Sequence, residues 1–224
     1  MDLSRQRREY DTSGIDVGTV ASDPLIQFGR WMDDAQASNT AEPTAVVLST
    51  VGPDGRPSAR NVLLKGVSEG GFVVFSNYDS RKGRELAANP WAALTFTWAE
   101  LSRQVRVEGR VERTSDEESD AYFATRPRGS QIGAWASPQS EPIADRDELV
   151  GRVAEVAERF AALEHVPRPP HWGGLRLVPD RIELWQGRAD RLHDRLVYLQ
   201  VAGDGVDVSA VSRPLSWTIS RLAP

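Results

Sequence analysis

The stretch from Thr44 to Leu64 does most to constrain the fold. Two runs rich in β-branched and apolar residues, Thr44–Val51 and Pro57–Leu64, flank the turn sequence Gly52-Pro53-Asp54-Gly55. Gly, Pro and Asp in that order between apolar runs mark a hairpin. Strands joined so tightly run antiparallel, because a parallel pair needs a crossover of about a dozen residues or more. Gly71–Asn77 continues the strand pattern, and Trp91–Trp98 with Gln104–Glu112 reads as a further pair. In the latter, Val105 and Val107 alternate with Arg106 and Glu108, which leaves one face wet. Strands return at Gly174–Val178, Arg181–Gln186, Leu196–Val201 and Trp217–Leu222.

Helices fall between these pairs. Asp23-Pro24 supplies an N-cap and a proline at the first helical position, and Leu25, Phe28, Trp31, Met32 and Ala35 form the apolar stripe behind it. A short helix opens at Ser80. Ser115-x-x-Glu118 is a capping box whose helix Pro127 stops, and Asp147 to about Leu163 is amphipathic. Strands in hairpin pairs with helices inserted predict an α+β antiparallel barrel rather than βαβ winding. Residues 1–20 are polar and read as an arm, and 21–224 as a single domain that includes the C-terminal segment 171–224.

Composition narrows the function classes. The chain of 224 residues is 40% hydrophobic and 26% charged, as ordinary globular proteins are. Its formal net charge of −5 argues against broad nucleic-acid binding. No apolar run approaches the ~18 residues of a membrane span, and the charged N-terminus has no apolar core behind it, so no secretory signal is expected. With no cysteine, disulfides, thiolate metal sites and thiol nucleophiles drop out, and a cytoplasmic location is expected. His165, His171 and His193 have no tight ligand spacing, so no metal site is expected. Gly203-Asp204-Gly205 reads as a hairpin turn rather than a dinucleotide loop.

Three clusters carry chemistry. At Ser80-Arg81-Lys82 the serine suits an N-cap, but two cations sit in the first helical turn, where the macrodipole disfavours them. Either an anion binds there or the turn is a solvated basic surface. Tyr122 and Arg126 are four apart and share a helix face, with Ser130 following the helix end. They suit a phosphate clamp, or equally a capped helix end with tyrosine on arginine. If Arg191–Arg195 is extended, Arg191, His193 and Arg195 share one face and Leu192 and Leu196 the other. Such a face asks for an anion or electron-rich ring opposite, unless Asp194 and other carboxylates absorb the charge.

Six blocks in order then resemble the pyridoxamine 5′-phosphate oxidase family. They are RNVLLKG (60–66), SNYDSRKGREL (76–86), RQVRVEG (103–109), YFATRPRGSQIGAWASPQS (122–140), HWGGLRL (171–177) and ELWQGRADRLHDR (183–195). The resemblance implies an antiparallel split β-barrel with flanking helices, working as a homodimer that holds FMN between subunits. The implied FMN contacts are Arg60, Asn61, Val62, Leu63, Leu64, Lys65, Phe75, Ser76, Arg81, Lys82, Gln104, Gln139, Ser140, Trp185 and Arg195. Some of these would reach across the dimer.

Lys65, Tyr122, Arg126 and Ser130 are implied to hold the 5′-phosphate of a B6 vitamer, while Arg191, Leu192 and His193 meet its ring. Arg191 and His193 would place the reacting carbon beside the flavin. The implied reaction converts pyridoxamine or pyridoxine 5′-phosphate to pyridoxal 5′-phosphate with O2 as acceptor. It yields H2O2, and ammonia from the amine. No obligatory general base is assigned. Phe75 stands where the family often has tyrosine, and the hairpin through Gly203–Pro214 is longer than usual. Related split-barrel enzymes of the phenazine pathway, deazaflavin-dependent reductases and non-catalytic flavin or pyridoxal-phosphate binders are the alternatives. The intact RLHDR block and the Tyr-Arg-Ser group favour the oxidase.

Overall fold

A computed structural model of the chain describes residue 1 and residues 9–10, 12–201 and 216–224. The turn expected at Gly203-Asp204-Gly205 and the hairpin through Gly203–Pro214 lie outside the described residues.

The hairpin that dominates the sequence forms as expected, from β1 (Ala45–Val51) and β2 (Pro57–Leu63). The Gly52 and Gly55 amides close its turn onto Arg56 O and Gly52 O. Helix α1 (Pro24–Ala37) precedes it, with the Asp23 carboxylate accepting from the Leu25 amide. After β2 come β3 (Gly66–Ser68), β4 (Gly71–Asn77), α2 (Arg81–Ala88), β5 (Trp91–Trp98) and β6 (Arg103–Arg113). Three helices follow, α3 (Asp116–Thr125), α4 (Arg128–Ala136) and α5 (Arg146–Arg159), and then β7 (Trp172–Gln186), β8 (Asp194–Gln200) and β9 (Trp217–Leu222). The sheet order is β2-β1-β5-β6-β7-β4-β3, with β8 on β7 and β9 on β8.

The chain divides into two compact units, one of residues 1–48, 93–109 and 179–224, the other of 49–92 and 110–178. In the first, Phe28, Phe96 and Trp98 pack ring against ring, and Ile182, Leu184, Leu196 and Tyr198 are fully buried. Arg103 lays its guanidinium over the Trp31 ring and pairs with Asp34, so its charge meets an aromatic face and a carboxylate. In the second, Phe123, Ile132, Phe160, Val166 and Trp172 form the core beneath α3, α4 and α5.

The structure departs from expectation in four places. The two strands expected within 174–186 are one, β7. Its first half pairs with β4 and its second with β8, and Pro179, which cannot donate to a ladder, falls where the partner changes. Pro127 does more than stop α3. It forces Arg126 into the extended region and serves as N-cap to the unexpected helix α4. Helix α5 ends at Arg159, short of Leu163. There the Arg128 guanidinium donates to the carbonyls of Phe160 at 2.7 Å and Leu163 at 3.0 Å.

The fourth departure concerns Arg191–Arg195, which is not an extended strand. Asp190 and Arg191 hold positive φ angles of 55° and 61° within a turn of 3-10 helix, and β8 starts only at Asp194. The alternation that would have put Arg191, His193 and Arg195 on one face therefore does not exist. Leu192 is exposed while Leu196 is buried.

Candidate active site

The second unit contains a cleft of about 950 Å³, walled by β2, β4, the first turn of α2, and α3 with α4. Of the residues singled out from the sequence, Arg60, Asn61, Val62, Leu63, Lys65, Phe75, Ser76, Arg81 and Lys82 line it, together with Tyr122, Arg126, Ser130, Gln139 and Ser140. Leu64 does not, being buried in the apolar interior instead. Gln104, Trp185, Arg191, Leu192, His193 and Arg195 belong to the first unit.

One end of the cleft is cationic. Ser80 caps α2, and Gly83 is required in its first turn because a Cβ there would meet the Tyr78 carbonyl at 1.9 Å. That tight turn buries Lys82, whose ammonium donates to Ser76 Oγ at 2.9 Å, Ser80 Oγ at 3.1 Å and Gln139 Oε1 at 2.9 Å. Among the described residues no carboxylate pairs with it. Burial, and then the nearby Arg60 charge, lower its pKa to about 8. Arg60 and Arg81 are instead anchored from behind by the buried Glu85.

A second polar group lies on α3 and the start of α4. Tyr122 stacks on Phe75 with ring centroids 3.9 Å apart, and the two lie nearly parallel to Trp172. The Arg126 guanidinium sits 4.6 Å over the Trp172 ring, and among the described residues its buried Nη1 has no hydrogen-bond partner. Burial lowers the Arg126 pKa and raises that of the Tyr122 phenol. Leaving a charged donor unmet in this way costs free energy that an anion would recover.

In the first unit, Trp185 and His193 pack at 4.6 Å, and Tyr10 meets both edge-on. The Arg188 amide donates to His193 Nδ1 at 3.1 Å, so in the neutral ring the proton resides on Nε2. Arg195 is held by the buried Glu183 at 2.8 Å, a carboxylate also paired with Arg106 and Arg181. Burial works to raise the Glu183 pKa, but hydrogen bonds from Arg195 and Arg106 hold it below the usual range. Carboxylates thus absorb the Arg195 charge, as one sequence reading allowed, whereas Arg191 is exposed.

Sequence reasoning missed Ser58, Trp172 and Glu85. Ser58 shares a strand face with Arg60, and Trp172 lay in the HWGGLRL block, so both signals were present. A phosphate monoester fits the donor set, since a buried ammonium without a carboxylate and an unmet guanidinium nitrogen both call for anionic oxygen. Arg60, Ser76, Arg81, Lys82 and Gln139 line the end of the cleft where such a group would fit.

Residues 32–160 match the family model described as pyridoxamine 5′-phosphate oxidase, and 172–224 the one described as pyridoxine 5′-phosphate oxidase C-terminal dimerisation region. A pyridoxine/pyridoxamine 5′-phosphate oxidase of Burkholderia multivorans is 56% identical over 222 residues, 99% of each chain. One from Rubrobacter xylanophilus is 60% identical over 197 residues, covering 88% of this chain and 90% of that one. Among solved structures, PhzG of Burkholderia lata in complex with tetrahydrophenazine-1-carboxylic acid is 31% identical with a TM-score of 0.81, covering 92% of this chain and 95% of that one. A pyridoxamine 5′-phosphate oxidase-related, FMN-binding protein of Nostoc punctiforme covers 92% of this chain and 100% of that one at a TM-score of 0.66. At 16% identity it is a likeness of fold alone. The shared fold is the α+β antiparallel split barrel with flanking helices read from the sequence.

Proposed function

The chain belongs to the pyridoxamine 5′-phosphate oxidase family, and from that premise we propose that it oxidises pyridoxamine and pyridoxine 5′-phosphates to pyridoxal 5′-phosphate. FMN is the proposed cofactor and O2 the acceptor, with release of H2O2, and of ammonia from the amine. The observation that carries this reading is a single cleft with two separate sets of anion-seeking groups. Lys82 with Arg60 and Arg81 forms one, and Arg126 with Tyr122 and Ser130 the other. A phosphorylated cofactor and a phosphorylated substrate need two such sets.

The cofactor, when bound, supplies the two-electron chemistry that amino-acid side chains lack. The protein binds and orients. Arg60, Arg81, Lys82 and Ser140 grip the cofactor phosphate, with Ser76 beside Lys82 and Asn61, Val62, Leu63 and Lys65 along its length. Lys65, Tyr122, Arg126 and Ser130 take the substrate phosphate. The Phe75–Tyr122–Trp172 stack fixes the phenol and lets Arg126 lie over an aromatic face. The chain is proposed to work as a homodimer, in keeping with its C-terminal region. In the dimer, Gln104, Trp185 and Arg195 reach the cofactor held by the second copy, and Arg191, Leu192 and His193 cover the substrate ring. His193, with its proton on Nε2, donates a hydrogen bond and positions.

A second reading follows from the likeness to PhzG, a protein solved with a tricyclic acid. The carboxylate of such an acid would also meet the Arg126 nitrogen, so the first reading is favoured instead by the oxidase relatives at 56% and 60% identity. Substrate competition under air, with aldehyde and peroxide followed against oxidation of a dihydrophenazine carboxylate, separates the two.

A further inference from the structure

Glu85 lies outside the cleft lining, yet it touches the cleft's cationic end from behind. It is 5% exposed and stands on α2 one turn beyond Arg81. One oxygen, Oε1, accepts from Arg81 Nε at 2.8 Å. The other, Oε2, accepts from Thr50 Oγ1 at 2.5 Å, Ser58 Oγ at 2.6 Å and Arg60 Nη2 at 3.2 Å. Arg60 is gripped a second time, since Nη1 donates to Thr50 Oγ1 at 2.6 Å and Nη2 to Ser58 Oγ. One carboxylate therefore ties α2 to the β1–β2 hairpin and both guanidiniums to one another.

We propose that Glu85 is the positioning residue of the phosphate end of the cleft, holding Arg60 and Arg81 in place before any ligand arrives. The inference rests on the reading of the cleft as a phosphate site. Arginine loses much rotamer freedom when ordered, and the Arg81 side chain is 62% exposed, so without an anchor it would be ordered only at the moment of binding. Burial favours protonation of Glu85, but its hydrogen bonds from Ser58, Thr50, Arg81 and Arg60 prevail and hold the pKa at about 2. The anchor is thus ionised across the working range.

Three roles for Glu85 differ in what they do to phosphate recognition. A positioning residue favours the phosphorylated ligand specifically. A merely structural one supports FMN and riboflavin binding alike. A counter-charge alone opposes the phosphate, so its removal would tighten FMN. The test is fluorescence titration of full-length wild-type, Glu85→Ala and Glu85→Gln protein with FMN and with riboflavin, which lacks the phosphate. Expected is an FMN Kd raised about tenfold or more in Glu85→Ala, with riboflavin unchanged within about twofold. Glu85→Gln, which keeps the shape and one acceptor, falls between and serves if the alanine variant does not fold. A preference for FMN over riboflavin that is unchanged or strengthened in these variants overturns the assignment. Wild-type protein that binds both ligands equally overturns the reading of the cleft itself, and the inference with it.

Discussion

The buried ammonium of Lys82 donates to Gln139 Oε1 at 2.9 Å, joining the first turn of α2 to the segment that follows α4. Among the described residues its three acceptors are neutral oxygens, so the charge is solvated there but not neutralised. Lys82→Met is expected to weaken FMN binding by about tenfold to a hundredfold, the loss of one charge-assisted contact of roughly 1.5–3 kcal/mol. Titration of the apoprotein checks this, and unchanged affinity would make the lysine a structural group only.

The same residue sets a pH dependence. Its folded pKa of about 8 lies below the ordinary 10.5, so above pH 8 the unfolded chain holds more protons than the folded one. Ligand-free protein is therefore expected to gain stability as pH rises from 8 towards 10, by up to roughly 3 kcal/mol from this group. Beyond pH 10 the raised pKa values of Tyr78, Tyr122 and Tyr198 act in the opposite sense. Denaturant unfolding at pH 7.5 and 9.5 should show the rise in wild type and its loss in Lys82→Met. An equal rise in both would assign it elsewhere.

Arg126→Ala is expected to raise KM for phosphorylated substrates while leaving FMN content intact. The unmet Nη1 marks this guanidinium as waiting for an acceptor. Ser130→Ala and Tyr122→Phe, which remove neutral donors, should act in the same direction more weakly. A variant that still prefers pyridoxine 5′-phosphate to pyridoxine as strongly as wild type would remove the clamp.

How much of this was legible in the sequence varies with how local the signal is. The hairpin at Gly52–Gly55, the Ser80 cap and the clamp residues on α3 rest on neighbours within a turn or two, and such patterns survive folding. Helix α4 was hidden because Pro127 is both a stop for one helix and a start for the next. The turn at Asp190 and Arg191 is a left-handed backbone held by the Arg188–His193 hydrogen bond, and nothing in the alternation of charges announces it. Glu85, at helical spacing from Arg81, carries no sign of burial in its local sequence. Its burial comes from Thr50 and Ser58, on strands distant in sequence.

His193→Ala and Arg191→Ala are expected to lower kcat/KM by up to about a hundredfold through lost orientation, with the flavin spectrum normal. With Nδ1 already accepting from Arg188, His193 offers a donor rather than a base. Anaerobic flavin reduction and melting temperature measured on one sample separate this from a stability defect. Normal reduction rates in both variants would take these residues out of the active site.

The most direct measurement of the proposed activity is turnover of the FMN-loaded protein under air with pyridoxamine 5′-phosphate and with pyridoxine 5′-phosphate. Aldehyde and H2O2 should appear in equal amounts with either substrate, with ammonia from the amine alone. Neither unphosphorylated vitamer should compete well. Absence of aldehyde from both phosphates, with oxidation of a dihydrophenazine carboxylate in the same preparation, would contradict it.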